Sequence, residues 1–178
     1  MMAGSAENER GCSRTGQPLN VLVLGVGNVL LSDEGAGVRV VERLKASHRF
    51  PPQVELLDGG TMGLELLPWL EERSHLFIVD AIRSEDPPGS VVVRHLDDPP
   101  AYFHQKISPH QIGLSELLAV ASLQGCLPSA VTLIGIAPSD LSTGISLSSQ
   151  GEAAVARASN EVIAALTGLG IRLETITG

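Results

Sequence analysis

The 178 residues carry 12 Lys and Arg against 20 Asp and Glu, for a formal charge of −8, and 43% of them are hydrophobic. A chain of this length and apolar content can build one hydrophobic core without disulfides or a structural metal. The negative charge disfavours phosphate backbones and anionic lipid surfaces, so we expect no nucleic-acid partner and no membrane insertion.

The chain divides into two unequal parts. Residues 1–18 are polar, rich in Gly, Ser and Arg, and lack the apolar stretch of a signal peptide, which predicts a disordered tail. Residues 19–178 are predicted to form a single α/β domain. Cys12 and Cys126 have no partner at metal-binding or redox spacing. The missing signal peptide and the unpaired cysteines together predict a cytoplasmic protein. We also expect a monomer.

Short apolar runs bounded by Gly, Pro and Asp predict five strands, over residues 20–24, 54–57, 75–79, 90–94 and 131–136. Helical spacing predicts helices over about 32–46, 62–67, 111–123 and 151–167, with Ser32 as a cap, a break at Pro68 and irregular chain over 97–109. The loop before the fourth strand is too short for a parallel crossover, so this strand should run antiparallel at or near the sheet edge. The pattern predicts a three-layer α/β fold, with a mostly parallel, twisted sheet of about five strands, one antiparallel edge strand and helices on both faces.

In such a sheet, ligands bind outside the carboxyl ends of the strands where the winding direction reverses, here between the first and third predicted strands. Glu34 and Asp80 follow these two strands, and the loop that carries His110 is free to reach the same crevice. One Glu, one Asp and one His form a plausible divalent metal site with open positions. Each residue also has a structural interpretation. Asp33 and Glu34 suit a first helical turn, Asp80 suits a strand end, and His110 suits the start of a helix.

The glycine loop invites a different interpretation. Gly25-Val-Gly27 follows a buried strand, as in dinucleotide-binding folds, but Leu30 stands where the third glycine belongs. Asp58 is placed late for a ribose-binding acid. The glycines then serve a tight turn. Motifs of zincins, serine hydrolases and P-loop NTPases are missing from the sequence.

Four separated segments resemble the maturation endopeptidases of nickel-iron hydrogenases. They are Gly25-Val-Gly-Asn-Val-Leu-Leu-Ser-Asp-Glu-Gly-Ala-Gly37, Leu57-Asp-Gly-Gly-Thr61, Val79-Asp-Ala-Ile82 and Ile107-Ser-Pro-His-Gln-Ile-Gly113. The resemblance implies an enzyme that removes the C-terminal extension of the hydrogenase large-subunit precursor after nickel has been inserted. It implies metal-binding and catalytic roles for Glu34, Asp80 and His110.

The glycine-rich segments are predicted to contact the substrate through six residues: Gly27, Asn28, Asp58, Gly59, Gly60 and Thr61. The nickel is expected to come with the precursor, although the same ligands accept other divalent ions. It would act either as a Lewis acid on the scissile carbonyl or as the mark by which loaded precursor is recognised, and the family favours recognition. The alternative function is a non-catalytic nickel-binding or nickel-delivery module. No residue is assigned as general base or nucleophile.

Overall fold

The protein is built around one five-stranded sheet. The structure, a computed structural model, describes residues 18–104 and 109–176, with the backbone alone for 109–111. The strands are Val21–Val26 (β1), His48–Arg49 (β2), Val54–Gly60 (β3), His75–Ala81 (β4), Val91–His95 (β5), Ala130–Ile136 (β6) and Glu174–Thr175 (β7). The α-helices are Ala36–Ser47 (α1), Leu67–Leu70 (α2), Pro99–His104 (α3), Pro109–Leu123 (α4) and Ser149–Gly168 (α5).

The order of strands in the main sheet is β3-β1-β4-β6-β5. All neighbours are parallel except β5, which pairs antiparallel with β6 at one edge. The chain moves from β1 outward to β3, then crosses back over β1 to β4 and beyond. The winding direction therefore reverses between β1 and β4, and the predicted fold, edge strand and switch point are confirmed.

Side chains that alternate along the inner strands pack into two separate hydrophobic cores, one on each face of the sheet. Val21 and Val23 of β1 join the core beneath α1 and α5, whereas Leu22 and Leu24 join the core beneath α2, α3 and α4. These strands are apolar at successive positions because both faces are covered. The result is three layers, with α1 and α5 on one face of the sheet and the remaining helices on the other.

Two local predictions were wrong near the first and second helices. Ser32 does not cap a helix, since residues Ser32–Gly35 form a 3-10 turn before α1 begins at Ala36. Pro68 does not break a helix either, because it lies in the first turn of α2, directly after a 3-10 turn over Leu64–Leu66. Proline is tolerated in a first helical turn, where its missing N–H has no intrahelical acceptor.

The segment predicted to be irregular contains α3. The carboxylate of Asp98 accepts a hydrogen bond from the Ala101 N–H at 3.1 Å, which caps the start of this helix. Phe103 fixes the helix by inserting its fully buried ring into the second core. The sequence hid this helix because its first two residues, Pro99 and Pro100, resemble a loop.

A second, two-stranded sheet joins β2 to β7 in antiparallel register and was not predicted. Within the described ranges, no helix is both long and apolar enough to cross a bilayer. The predicted tail lies almost entirely outside the described residues, so its disorder stays a prediction.

Candidate functional site

Two positions, Gly27 in the turn after β1 and Gly37 in the first turn of α1, are packed so closely that they have to be glycine. Gly27 has φ of +132°, and a Cβ on it would overlap the carbonyl oxygen of Glu34. A Cβ on Gly37 would overlap the carbonyl oxygens of Val26, the last residue of β1, and of Val79 in β4. The glycines therefore serve close backbone packing, and this packing holds the 3-10 turn with Glu34 against β4.

Asp80 lies at the carboxyl end of β4, opposite Gly135 of β6. It has no exposed surface, and the four apolar residues before it in the same strand are buried as well. Glu34 is partly exposed. The structure thus brings these two predicted acids to the same edge of the sheet, one below the surface and the other at it.

His110 belongs to the first turn of α4, and its side chain lies outside the described residues. The backbone of α4 nevertheless starts at the same edge of the sheet. A Cβ added to Gly63, in the loop after β3, would lie 3.2 Å from the Cα of Gly113. The contact of two glycines brings the start of α4 close to the loops that follow the strands.

Asp33 is a buried carboxylate that holds the long loop between β6 and α5. Its Oδ2 accepts hydrogen bonds from the Ser139 N–H at 2.9 Å, the Asp140 N–H at 3.0 Å and the Ser148 hydroxyl at 2.7 Å. Its Oδ1 accepts one from the Ser148 N–H at 2.8 Å. Because Ser148 also caps α5 through the Gly151 N–H, a single carboxylate ties the Glu34 turn to that loop and to α5.

These contacts shift the acidity of Asp33. Burial by itself raises the pKa of this carboxyl, but the hydrogen bonds from Ser148 and from the backbone outweigh it and hold the pKa below its ordinary value. Asp33 is therefore a charged, fully bonded group that supports the fold. From sequence alone, Asp33 is predicted only to lie in a first helical turn.

Ser32 adopts a backbone conformation that is uncommon for a residue with a side chain, with φ of +49°. Its N–H donates to the Gly144 carbonyl at 2.9 Å, and its hydroxyl donates to the Ser142 carbonyl at 3.0 Å. The conformation is held by these bonds to the same long loop. Backbone strain of this kind is characteristic of sites whose geometry is under functional constraint.

Tyr102 of α3 lies within electrostatic reach of Asp80. Burial raises the pKa of its phenol, Arg94 opposes the rise and the negative charge of Asp80 adds to it. The ring also packs edge-on against Phe103, at a centroid distance of 5.2 Å. Sequence reasoning missed this residue because its helix was interpreted as irregular chain.

The six residues predicted to contact substrate occupy the ends of β1 and β3. Several of their polar groups bond within the turns, since the Gly27 N–H donates to the Gly60 carbonyl at 2.8 Å and the Gly60 N–H donates to Asp58 Oδ1 at 2.9 Å. Asn28 Oδ1 accepts from the Leu30 N–H at 3.0 Å. Gly59 is buried, whereas Asp58 and Thr61 are exposed at the edge of the sheet.

Among the described side chains, which do not include that of His110, no three His, Cys, Asp or Glu residues gather into a metal-binding group. The structure therefore gives the backbone positions of Glu34, Asp80 and His110, and the side chains of Glu34 and Asp80 only. Two carboxylates at this sheet edge, together with an imidazole from the start of α4, would have the ligand chemistry to hold a divalent cation.

Comparison with known proteins gives a consistent result. The family model described as hydrogenase maturation protease matches residues 38–165. The chain is 44% identical over 154 residues to the hydrogenase 2 maturation protease of Escherichia coli K12, covering 86% of this chain and 94% of that protein. It is 50% identical over 126 residues to the hydrogenase expression/formation protein HupD of Rhodobacter capsulatus, covering 70% and 60% of the two chains.

Solved structures agree with these sequence relatives. The hydrogenase maturating endopeptidase HybD from E. coli superposes with a TM-score of 0.84 at 42% identity, covering 88% of this chain and 98% of that one. The nickel-iron hydrogenase maturation protease HybD from Thermococcus kodakarensis superposes with a TM-score of 0.70 at 26% identity, covering 83% and 99%.

Proposed function

The chain belongs to the hydrogenase maturation protease family and is an endopeptidase, and on that premise we propose that it removes the C-terminal extension of a hydrogenase large-subunit precursor that already carries nickel. The observation that carries this proposal is that Glu34 and Asp80 both lie at the edge of the sheet where the winding direction reverses. The start of α4, with His110 in its first turn, lies at the same edge. The cytoplasm is the compartment that we propose for this reaction.

In the proposed site, Glu34 and Asp80 supply carboxylate oxygens and His110 supplies an imidazole nitrogen to the nickel of the precursor. The two negative charges balance a divalent cation, which favours placing it in a poorly solvated position. Such a mixed oxygen and nitrogen set suits nickel and leaves positions for the ligands that the precursor itself provides. The nickel then positions the precursor so that the bond to be cleaved lies at the sheet edge.

Because Glu34 and Asp80 differ in exposure, we expect them to bind the metal one after the other. Glu34 is partly exposed and is available to an approaching metal first, whereas Asp80 has no exposed surface. Full engagement of Asp80 by nickel would therefore require a local rearrangement of the groups that cover it.

The decisive experiment compares nickel-loaded and nickel-free precursor as substrates of the purified protein. We expect mass spectrometry to show loss of the C-terminal extension from the loaded form alone. Glu34→Gln should abolish cleavage, whereas Glu161→Gln, which changes an exposed glutamate of α5, should cleave at the wild-type rate. Equal cleavage of both precursors would contradict recognition through nickel. Nickel transfer to an unloaded precursor without cleavage would indicate a delivery module instead.

A further inference from the structure

Large apolar side chains are exposed around the edge of the sheet that carries Glu34 and Asp80. Of the nine large apolar residues that are exposed in the described part of the chain, six lie on this edge. They are Leu30, Met62, Leu64, Ile112, Leu141 and Ile145, and we refer to them as the apolar rim. Single exposed leucines are ordinary in proteins, but a group around one site marks an interaction surface.

The first half of the rim consists of Leu30, Leu141 and Ile145, and its backbone is firmly fixed. The Gly144 N–H donates to the Leu30 carbonyl at 2.9 Å, and the Arg39 guanidinium donates to the Ile145 carbonyl at 3.1 Å. The carboxylate of Asp33 holds the same loop from inside. These side chains are therefore presented to solvent by a rigid backbone, and their exposure does not result from a loosely packed loop.

The second half consists of Met62, Leu64 and Ile112. Met62 and Leu64 follow β3, and Ile112 lies in the first turns of α4, beside the contact of Gly63 with Gly113. This half lies on the α4 side of the sheet, whereas the first half lies beside α1 and the start of α5. The candidate site, at the strand ends, lies between the two.

The charge around the rim indicates what binds there. Asp58 near the end of β3 is exposed, as are Glu65 and Asp140 on the segments that carry the rim, and Arg39, a basic residue beside the first half, is paired with Glu42. An apolar surface bordered by acids fits a partner surface that is apolar and bordered by Lys or Arg. A second copy of this acidic chain would bring like charges together, which disfavours self-association through the rim.

We propose that the apolar rim docks the folded body of the metal-loaded precursor, so that the substrate is held by its surface on both sides of the site. This inference rests on the proposed function, since it needs a protein substrate at Glu34 and Asp80. The metal of a folded substrate lies within the substrate's own structure. Such a substrate can bring its metal into contact with Glu34 only if its surface covers the loops around Glu34. The rim is the part of those loops whose burial favours binding.

The test uses one double variant for each half of the rim, Leu141→Ser with Ile145→Ser and Met62→Ser with Leu64→Ser. Leu123→Ser is the matched control, because Leu123 is 88% exposed but lies at the far end of α4. For each double variant we expect KM for the nickel-loaded precursor to rise about tenfold or more with kcat little changed, and the control to match the wild type. Thermal melts verify that these surface changes leave the fold intact, and if one double variant unfolds, the other gives the answer.

The possible outcomes separate the two proposals. If the wild-type protein leaves loaded precursor uncut, the proposed function fails. If the wild type cleaves and both double variants behave like Leu123→Ser, docking through the rim is wrong and the proposed function stands. If sedimentation shows a wild-type dimer that the double variants convert to monomer at unchanged KM, the rim is a self-association surface and the docking proposal is overturned.

Discussion

The two ends of the central sheet use polar groups in different ways. At the amino end, the Arg73 guanidinium binds Asn20 Oδ1 at 2.7 Å, the Trp69 carbonyl at 2.9 Å and the carboxylate of Glu55. Ser74 Oγ accepts from the Asn20 N–H at 2.9 Å. These contacts join the residues that precede β1 and β4 to each other and to β3, so this end fastens strands together.

At the carboxyl end, the strands are followed by glycines, a strained serine and acids. Polar contacts there, such as those of Asp33, fasten loops rather than strands, and the loops in turn surround Glu34 and Asp80. Changes at the amino end should therefore alter stability alone, whereas changes at the carboxyl end should alter cleavage, and should lower stability as well where a buried contact is lost.

Neutralising or removing the candidate ligands should abolish processing while leaving the fold intact. We expect Glu34→Gln, Asp80→Asn and His110→Ala each to lower the rate of precursor cleavage by about 100-fold or more, since even the partners of metal ligands typically contribute 10–100-fold. Mass spectrometry of the precursor measures the rate, and circular dichroism with a thermal melt measures the fold. A variant that unfolds would show that its residue is structural.

Adding a methyl group to the turn after β1 should lower both the stability of the protein and the rate of precursor cleavage. Gly27→Ala places a Cβ against the carbonyl oxygen of Glu34 at a φ that disfavours alanine, and we expect a loss of about 2–4 kcal/mol in the free energy of unfolding, with little residual cleavage. Gly168→Ala is the control, because Gly168 lies in α5 with open space around it, and the change should stabilise the protein slightly. Urea denaturation compares the two. A stable, active Gly27→Ala protein would contradict the close packing described for this turn.

Asp33→Asn should destabilise the protein by about 1–3 kcal/mol near neutral pH, because four hydrogen bonds lose their charged acceptor. The pKa of Asp33 is lowered in the folded state, so its contribution is complete above the unfolded value of about 4 and fades as the pH falls below it. The difference between wild type and variant in urea denaturation should therefore narrow from pH 7 to pH 3. Asp58→Asn, at an exposed carboxylate with a local backbone bond, should cost much less. A pH-independent difference would show that the charge of Asp33 is unimportant.

The fold was predictable from the sequence because the inner strands β1, β4 and β6 are buried on both faces and are therefore continuous apolar runs. The short link before β5 was enough to assign its direction. Glu34 and Asp80 could be placed at one edge by topology alone, since the carboxyl ends of parallel strands share an edge. His110 was harder to place, because it follows an antiparallel strand and an intervening helix.

The role of Asp33 could not be predicted, because its partners Ser139, Asp140 and Ser148 lie more than a hundred residues away and show no local pattern with it. For the same reason, the strained φ of Ser32 is a consequence of tertiary contacts with the loop after β6. α3 was missed for a local reason, since its Pro-Pro start has the composition of a loop. The contacts between distant segments are the part that sequence spacing alone does not reveal.

The smallest effect is expected at the amino end. Ser74→Ala removes a hydroxyl that accepts from the Asn20 N–H and contacts His75 Nδ1 at 2.9 Å, and we expect it to cost about 1 kcal/mol of stability. Cleavage of the precursor at a temperature well below the melt should stay at the wild-type rate, because Ser74 precedes β4 by one residue and Asp80 lies near the opposite end of that strand. Urea denaturation and a cleavage assay on the same preparation separate the two effects. A Ser74→Ala protein that is fully stable yet slow to cleave would contradict this assignment of the two ends. The amino end would then take part in the reaction, which its bonds between strands do not explain.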